Sequence, residues 1–381
     1  MTGRERVLAA MSHREPDRTP LFERLIKSPH SDALLGRPCL ATNFDAQMRM
    51  LADGAHDEMC LQQARDIVDL AKVLGFDMVA AGPNGGPPAE RPQPVAPGRW
   101  RLGGSVGFVN SSGWVQWESV TPSAPRPPKT DEQEAAELAA GLEAPFAPSE
   151  DPDGFIVFRE IRRILEEEGL GLAIYSSCYG MPVCTLSPTQ LTWLHTRPAL
   201  MHSFYRRCSD RVVQLVQQCI ANGAGIIGLG GDMASDAGPF ISPRHYREFV
   251  VPEIRRQADE VHTLGAYATN TSDGNLWPVI DDFLIATDVD GFGEIDYVAG
   301  MDLGTLKERF GQRICLIGNL DIRFTLTRGS ADECRAHTRD CIEAGWGSGG
   351  HILMTSNVVH EDVRLEDYLA CIDAYREWFG L

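Results

Sequence analysis

The sequence of 381 residues lacks any run near the roughly 18 uncharged apolar residues of a membrane span. Basic residues are in deficit. Lys and Arg total 35 against 53 Asp and Glu, for a formal net charge of −18. Nucleic acid and anionic membrane surfaces both rely on Lys/Arg contacts, so neither is an expected partner. Several motifs are also missing. There is no phosphate-binding G-x-x-x-x-G-K-[ST], no His-Glu-x-x-His and no G-x-S-x-G nucleophile elbow. None of the ten cysteines forms a Cys-x-x-Cys pair. The first 15 residues carry charge on both sides of the short patch Val7-Leu8-Ala9-Ala10-Met11, unlike a secretory signal. The expectation is a cytoplasmic protein with reduced thiols.

What is present reads as an α/β fold. Hydrophobic residues are 43% and charged residues 23%, ordinary for a globular chain. Eight short apolar or β-rich segments recur, at 19–25, 76–81, 171–177, 225–231, 266–271, 291–295, 314–319 and 351–355. Between them run helical patterns at 155–168, 189–221, 243–263, 276–286, 302–310, 331–344 and 365–379, with apolar residues at i, i+3 and i+4. Ser242-Pro243, and Ser330 with Glu333, are helix-start signals. Eight strands alternating with helices predict a closed (β/α)₈ TIM barrel; a doubly wound open sheet is the rival.

The stretch 82–150 breaks the alternation and reads as an insertion after strand two, at the barrel mouth. It carries β-hairpin strands at 100–109 and 113–118, a proline-rich connector at 122–129 and a helix at 130–142. The whole chain, 1–381, is then one barrel domain with that insertion. Gly345-Trp346-Gly347-Ser348-Gly349-Gly350 has dinucleotide-loop spacing, but it follows a helix and precedes a strand, so it reads as a turn.

Barrel enzymes place their chemistry at the C-terminal ends of strands. Those ends carry Glu23 and Arg24, Asn84, Tyr179, Asp232, the trio Asn270, Thr271 and Asp273, then Glu294 and Asp296, Asn319 and Asp321, and Ser356 and Asn357. Carboxylates converging on one mouth repel one another, which raises some of their pKa values. They suit general acids, a hard cation or a cationic substrate. His351 reads as structural, His360 as able to reach the mouth, and His245 and His262 as surface residues.

A resemblance emerges from longer motifs. Gly3-Arg4-Glu5-Arg6-Val7-Leu8-Ala9-Ala10-Met11-Ser12-His13-Arg14-Glu15-Pro16-Asp17-Arg18-Thr19-Pro20 resembles the opening of the uroporphyrinogen decarboxylase superfamily, above all its methyltransferase-like branch. Gly238-Pro239-Phe240-Ile241-Ser242-Pro243-Arg244-His245-Tyr246, Ser272-Asp273-Gly274-Asn275, Ala299-Gly300-Met301-Asp302 and Gly318-Asn319-Leu320-Asp321 follow in the expected order. The resemblance implies a distorted (β/α)₈ barrel with its active site in the mouth. It implies either cofactor-free decarboxylation or methyl transfer to a corrinoid (cobalamin) on a separate carrier protein. Zinc-dependent thiol methyltransferases of this superfamily carry His-x-Cys after strand five and Cys after strand eight. The matching positions here are Thr271, Asp273 and Asn357, so a thiolate-type zinc site is not expected; an oxygen-rich metal site stays open.

The expectation is a corrinoid-dependent methyltransferase acting on a methylated small molecule, such as a quaternary amine or a methoxyaromatic. Asp273, Asp232 and Tyr179 are the candidate catalytic residues, as proton donor or metal ligand. Glu23, Asn319, Asn357, Trp193 and Asp296 are the candidate substrate-binding residues, with Phe22 as a further aromatic. A divergent decarboxylase is the alternative within catalysis. A barrel that only binds a small molecule or tetrapyrrole is the alternative outside it. The N-terminal helix is a candidate homodimer contact.

Overall fold

The structure is a computed structural model and describes residues 1–111, 113–120, 129–144 and 152–381. Met78–Ala80, Ala173–Ser177, Ile226–Gly230, Tyr267–Thr271, Gly291–Gly293, Cys315–Ile317 and His351–Ile352 pair side by side, in that order, as one parallel sheet. The segment expected at 19–25 is not a regular strand. Pro20 has no N–H to give to a ladder. The segment nevertheless fills the eighth position. Phe22 N–H donates to Leu353 O at 3.0 Å, and Leu353 N–H donates to Pro20 O at 2.9 Å. On the other side, Asp77 N–H donates to Leu21 O at 2.8 Å. Residues 20–22 thus join the last strand to the first, and the sheet closes into the barrel.

The helix Gly3–Met11 starts with a capping box between Thr2 and Glu5. Its Val7, Ala10 and Met11 pack against Met78, Ile226 and Ile317 at the N-terminal end of the barrel. Its apolar residues therefore close the barrel floor. Beside it the buried Asp77 holds Arg6 at 2.6 Å and Arg18 at 2.7 Å.

The outer helices follow the sequence pattern, with breaks at prolines. The segment read as one helix at 189–221 is two, Pro188–Thr196 and Pro198–Ala221. Arg197 (φ −137°, ψ 51°) leaves the helical region because Pro198 follows it. The expected helix at 276–286 is a short 3₁₀ turn, Trp277–Val279, followed by one wide turn, Asp282–Ala286. The expected caps form at Ser242 and Ser330. His245, expected at the surface, is buried with its ring 4.2 Å from that of His195. Gly345 must lack a side chain, because a Cβ there would lie 1.9 Å from His351 Nδ1.

The insertion holds a four-stranded antiparallel sheet: Gln93–Ala96, Arg99–Leu102, Ser105–Val109 and Val115–Ser119. The single strand expected at 100–109 is itself a hairpin, because Gly103 (φ 56°) and Gly104 turn the chain. The sheet leans on the rim near strands one and eight. Trp100 donates to Asp45 at 2.8 Å, and Lys27 Nζ sits 3.3 Å from the Trp114 ring centre. The helix Asp131–Glu143 follows. The proline-rich connector, apart from Lys129, lies outside the described residues. All ten cysteines are free thiols. Among the described residues, no helix is long and apolar enough to cross a membrane.

Candidate functional site

Asp232 and Asp273 end the fourth and fifth strands of the barrel. Ser272 ties their two loops together, since its Oγ accepts the Met233 N–H at 3.0 Å. Asn357, after the last strand, donates its amide to Asp273 Oδ2 at 3.2 Å. Burial pushes the Asp273 carboxyl up to about 6, and repulsion from Asp232 and Asp296 adds to it. The sequence argument anticipated repulsion; desolvation is the larger cause. Cys184 is the exposed cysteine of the chain, and its thiol faces Asp232 at 3.9 Å. Partial burial and the Asp232 charge raise that thiol, which disfavours a thiolate nucleophile.

Asp296 is fixed from several sides. It accepts the N–H groups of Val298 (3.1 Å), Ala299 (3.2 Å) and Gly274 (3.4 Å), and Arg323 reaches it at 3.2 Å. Arg323 also presents its fork to Asp236, at 2.6 and 2.8 Å. Asp236, Asp273, Asp296 and Arg323 line one open groove of about 470 Å³.

A second layer lies deeper. Glu294 pairs with Arg24, whose guanidinium stands 5.4 Å from the Tyr179 ring centre and 3.4 Å from its hydroxyl. Tyr179 and Tyr175 hydroxyls meet at 3.0 Å. Glu294 has φ 61°, an uncommon state for a residue with a Cβ, which marks strain held by the site. Burial pushes its carboxyl up to about 7; Arg24 opposes the rise, and Asp273 and Asp232 reinforce it. Phe22, Tyr175, Tyr179 and Glu294 line an interior cavity of about 10 Å³, room for roughly one water. The face of Tyr179 is thus already taken by Arg24.

Three expected site residues are used elsewhere. Glu23 is buried, and Thr355 Oγ1 lies 2.7 Å from its Oε2. The same hydroxyl contacts the Asn357 carbonyl oxygen. A carbonyl only accepts and Thr355 has one hydroxyl hydrogen. Both contacts are satisfied when protonated Glu23 donates to Thr355 and Thr355 donates to Asn357. Burial pushes the Glu23 carboxyl up to about 8, while the N–H groups of Arg24 (3.1 Å) and Thr355 (3.4 Å) donate to its oxygens and oppose the rise. Asn319 spends its amide on Met301 O at 3.2 Å and its carbonyl on the Cys341 thiol at 3.6 Å. Trp193 is buried, with its indole N–H on Asp131 of the insertion helix. His360 receives the N–H of Asp362.

The structure therefore gathers Asp232, Asp273, Asp296 and Asn357, with Tyr179 beneath, while Glu23, Asn319 and Trp193 are buried on the partners just named. Arg323 and Cys184 went unnoticed in the sequence. Arg323 lies two residues past Asp321 in a strand-end loop, a position that a pattern of strand-end acids and amides does not mark. Thr271, Asp273 and Asn357 offer a hydroxyl, a carboxylate and an amide, which do not fit a thiolate zinc site. Asp259, His262 and Asp288 also approach one another, but Arg255 pairs with both carboxylates and Arg313 with Asp288.

Residues 187–378 match the sequence profile of the uroporphyrinogen decarboxylase (URO-D) family. A uroporphyrinogen decarboxylase from Alkalilimnicola ehrlichii is 29% identical over 189 residues, 48% of either chain. A methylated-thiol–coenzyme M methyltransferase from Methanosarcina mazei is 28% identical over 185 residues, 49% of this chain and 47% of that one. The chain spans about half the length of the curated relatives it matches. A solved methyltransferase from Methanosarcina mazei shares the fold over 100% of this chain and 99% of its own, with a TM-score of 0.69 at 18% identity. The TIM barrel, its mouth of strand-end residues and the match over 187–378 agree: the chain belongs to the uroporphyrinogen decarboxylase family.

Proposed function

We propose that the protein is a methyltransferase of this family, moving a methyl group from a methylated small molecule to a corrinoid carried by a separate protein. One observation carries the reading. Asp273 is a half-buried carboxyl in the mouth groove, raised to about 6 and held by Asn357. The similarity to the methylated-thiol–coenzyme M methyltransferase supports it. The charge of the mouth supports it too, because Asp232, Asp273 and Asp296 would repel a polycarboxylate such as the decarboxylase substrate.

In the proposed reaction the methyl–heteroatom bond breaks and its electron pair stays on the heteroatom. The reduced corrinoid, as acceptor substrate, supplies the electron pair of the new carbon–cobalt bond. The residues here position the donor and manage its charge. An ether or thioether donor leaves as an anion and needs a proton, which an Asp273 carboxyl near 6 can give. An ammonium donor leaves as a neutral amine, and ionised Asp273 holds it in place beforehand. Arg24 keeps Tyr179 and Glu294 fixed below them.

The test incubates the purified protein with cob(I)alamin and a set of methylated ammonium, ether and thioether donors, following the cobalt absorbance. Transfer by the wild type, lost in Asp273→Ala with unchanged circular dichroism, is the expected result. Retained turnover in Asp273→Ala overturns the site assignment. Carbon dioxide release from a carboxylated substrate, without corrinoid, overturns the methyltransferase reading.

A further inference from the structure

The mouth groove has two electrically different ends. At one end stands Asp273, with Asp232 close enough behind it to raise its carboxyl. Among the described residues neither has an ion-pair partner; their contacts are the Asn357 amide and the Cys184 thiol. At the other end stands Arg323, close enough to act on Asp273 and lower its carboxyl against the effects that raise it.

The two carboxylates on Arg323 are not equivalent. Asp296 is buried and held by three backbone N–H groups, so it stays. Asp236 sits on the turn between Ala234–Ser235 and Gly238–Pro239, with a side chain 60% exposed. Both of its oxygens face the Arg323 fork at 2.6 and 2.8 Å. An exposed pair of this kind contributes little, because water solvates both ions almost as well. Any carboxylate of the same shape can take its place on the fork at small cost. Asp236 therefore looks outward as a built-in stand-in for a ligand's carboxylate.

The groove walls carry no aromatic ring among their residues, and the face of Tyr179 belongs to Arg24. A flat methoxyaromatic finds no stacking surface in the groove. A purely cationic donor would leave Arg323 unused.

We infer that the groove takes a small zwitterion, with a methylated ammonium group against Asp273 and a carboxylate that displaces Asp236 from the Arg323 fork. This rests on the reading of Asp273 as the group that faces the donor. Arg323 is then a specificity-determining residue, and Asp236 is an internal competitor.

The test titrates glycine betaine and tetramethylammonium into the full-length protein, with ligand-observed NMR as readout. The wild type is expected to bind betaine more tightly than tetramethylammonium. Arg323→Gln should weaken betaine by roughly tenfold or more, the worth of a charge-assisted hydrogen-bonded pair, and leave tetramethylammonium nearly unchanged. Asp236→Asn should tighten betaine severalfold, because the competitor is gone. A merely structural Arg323–Asp236 latch would move both variants in the same direction, and that result overturns the inference. So does a wild type that binds neither probe. Asp273→Asn separates the two readings. If it abolishes tetramethylammonium binding while Arg323→Gln leaves betaine untouched, the site reading stands and the zwitterion falls. If it leaves both probes untouched, both readings fall.

Discussion

Replacing Glu23 by Gln tests the hydrogen ordering behind the mouth. The carboxyl is 6% exposed and burial lifts it from 4.5 to about 8. The sign is opposite to that of a salt-bridged carboxylate. Below pH 4.5 the folded and unfolded states both hold the proton, and the group contributes no pH dependence. Between 4.5 and about 8 the folded state keeps the proton while the unfolded state releases it, so stability falls as pH rises. The slope for one such group is about 1.4 kcal/mol per pH unit, and the full window amounts to about 5 kcal/mol as a ceiling. Glutamine keeps the shape and an N–H donor for Thr355, but it does not titrate. Urea denaturation of the wild type and Glu23→Gln from pH 5 to 9 gives a difference curve that isolates this one group. The variant should gain on the wild type steadily up to pH 8 and then level off. Parallel stability curves over that range would refute the argument, because Glu23 would then be ionised at neutral pH and Thr355 would donate to it.

Other expectations follow from the same structure. If Asp273 gives a proton to the leaving group, the wild-type rate with an ether or thioether donor should fall as pH rises through about 6. The Asp273→Asn variant should be slow at every pH, as a pH–rate profile would show. Asp77→Ala removes the buried carboxylate that Arg6 and Arg18 share, leaving Arg6 on Asp17 and Arg18 on the Tyr375 hydroxyl; calorimetry should show a loss of about 3 kcal/mol, the lower end of the usual cost of breaking a buried ionic group. Brief native labelling with a maleimide should modify Cys184 first, since it is the exposed thiol and eight of the others are buried. Mass spectrometry of the peptides checks it.

Most of the barrel was legible because its strands are short apolar runs set between amphipathic helices, and seven of the eight pair as read. Residues 19–25 misled because periodicity ignores a missing N–H at Pro20; the segment bridges two strands without forming one. The insertion misled where a glycine pair inside 100–109 marked a turn that the apolar pattern concealed. In the site, strand-end position found Asp232, Asp273, Asp296 and Asn357, because a closed barrel forces those ends together. It could not tell a carboxyl that faces the groove from one that turns inward, as Glu23 does. That depends on Thr355, which is 332 residues away in sequence. Trp193 was chosen by chemistry alone, and its place is set by a helix packing that no local pattern encodes.

The seam at residues 20–22 has a consequence for biosynthesis. Its two neighbours are Asp77, near the start of the chain, and Leu353, near its end. Until the last strand leaves the ribosome, the sheet has two raw borders, and the strand Met78–Ala80 waits beside a half-made partner. Closure therefore joins partners far apart in sequence, a long-range pairing that is slow to form, and losing either contact would leave unpaired sheet edges.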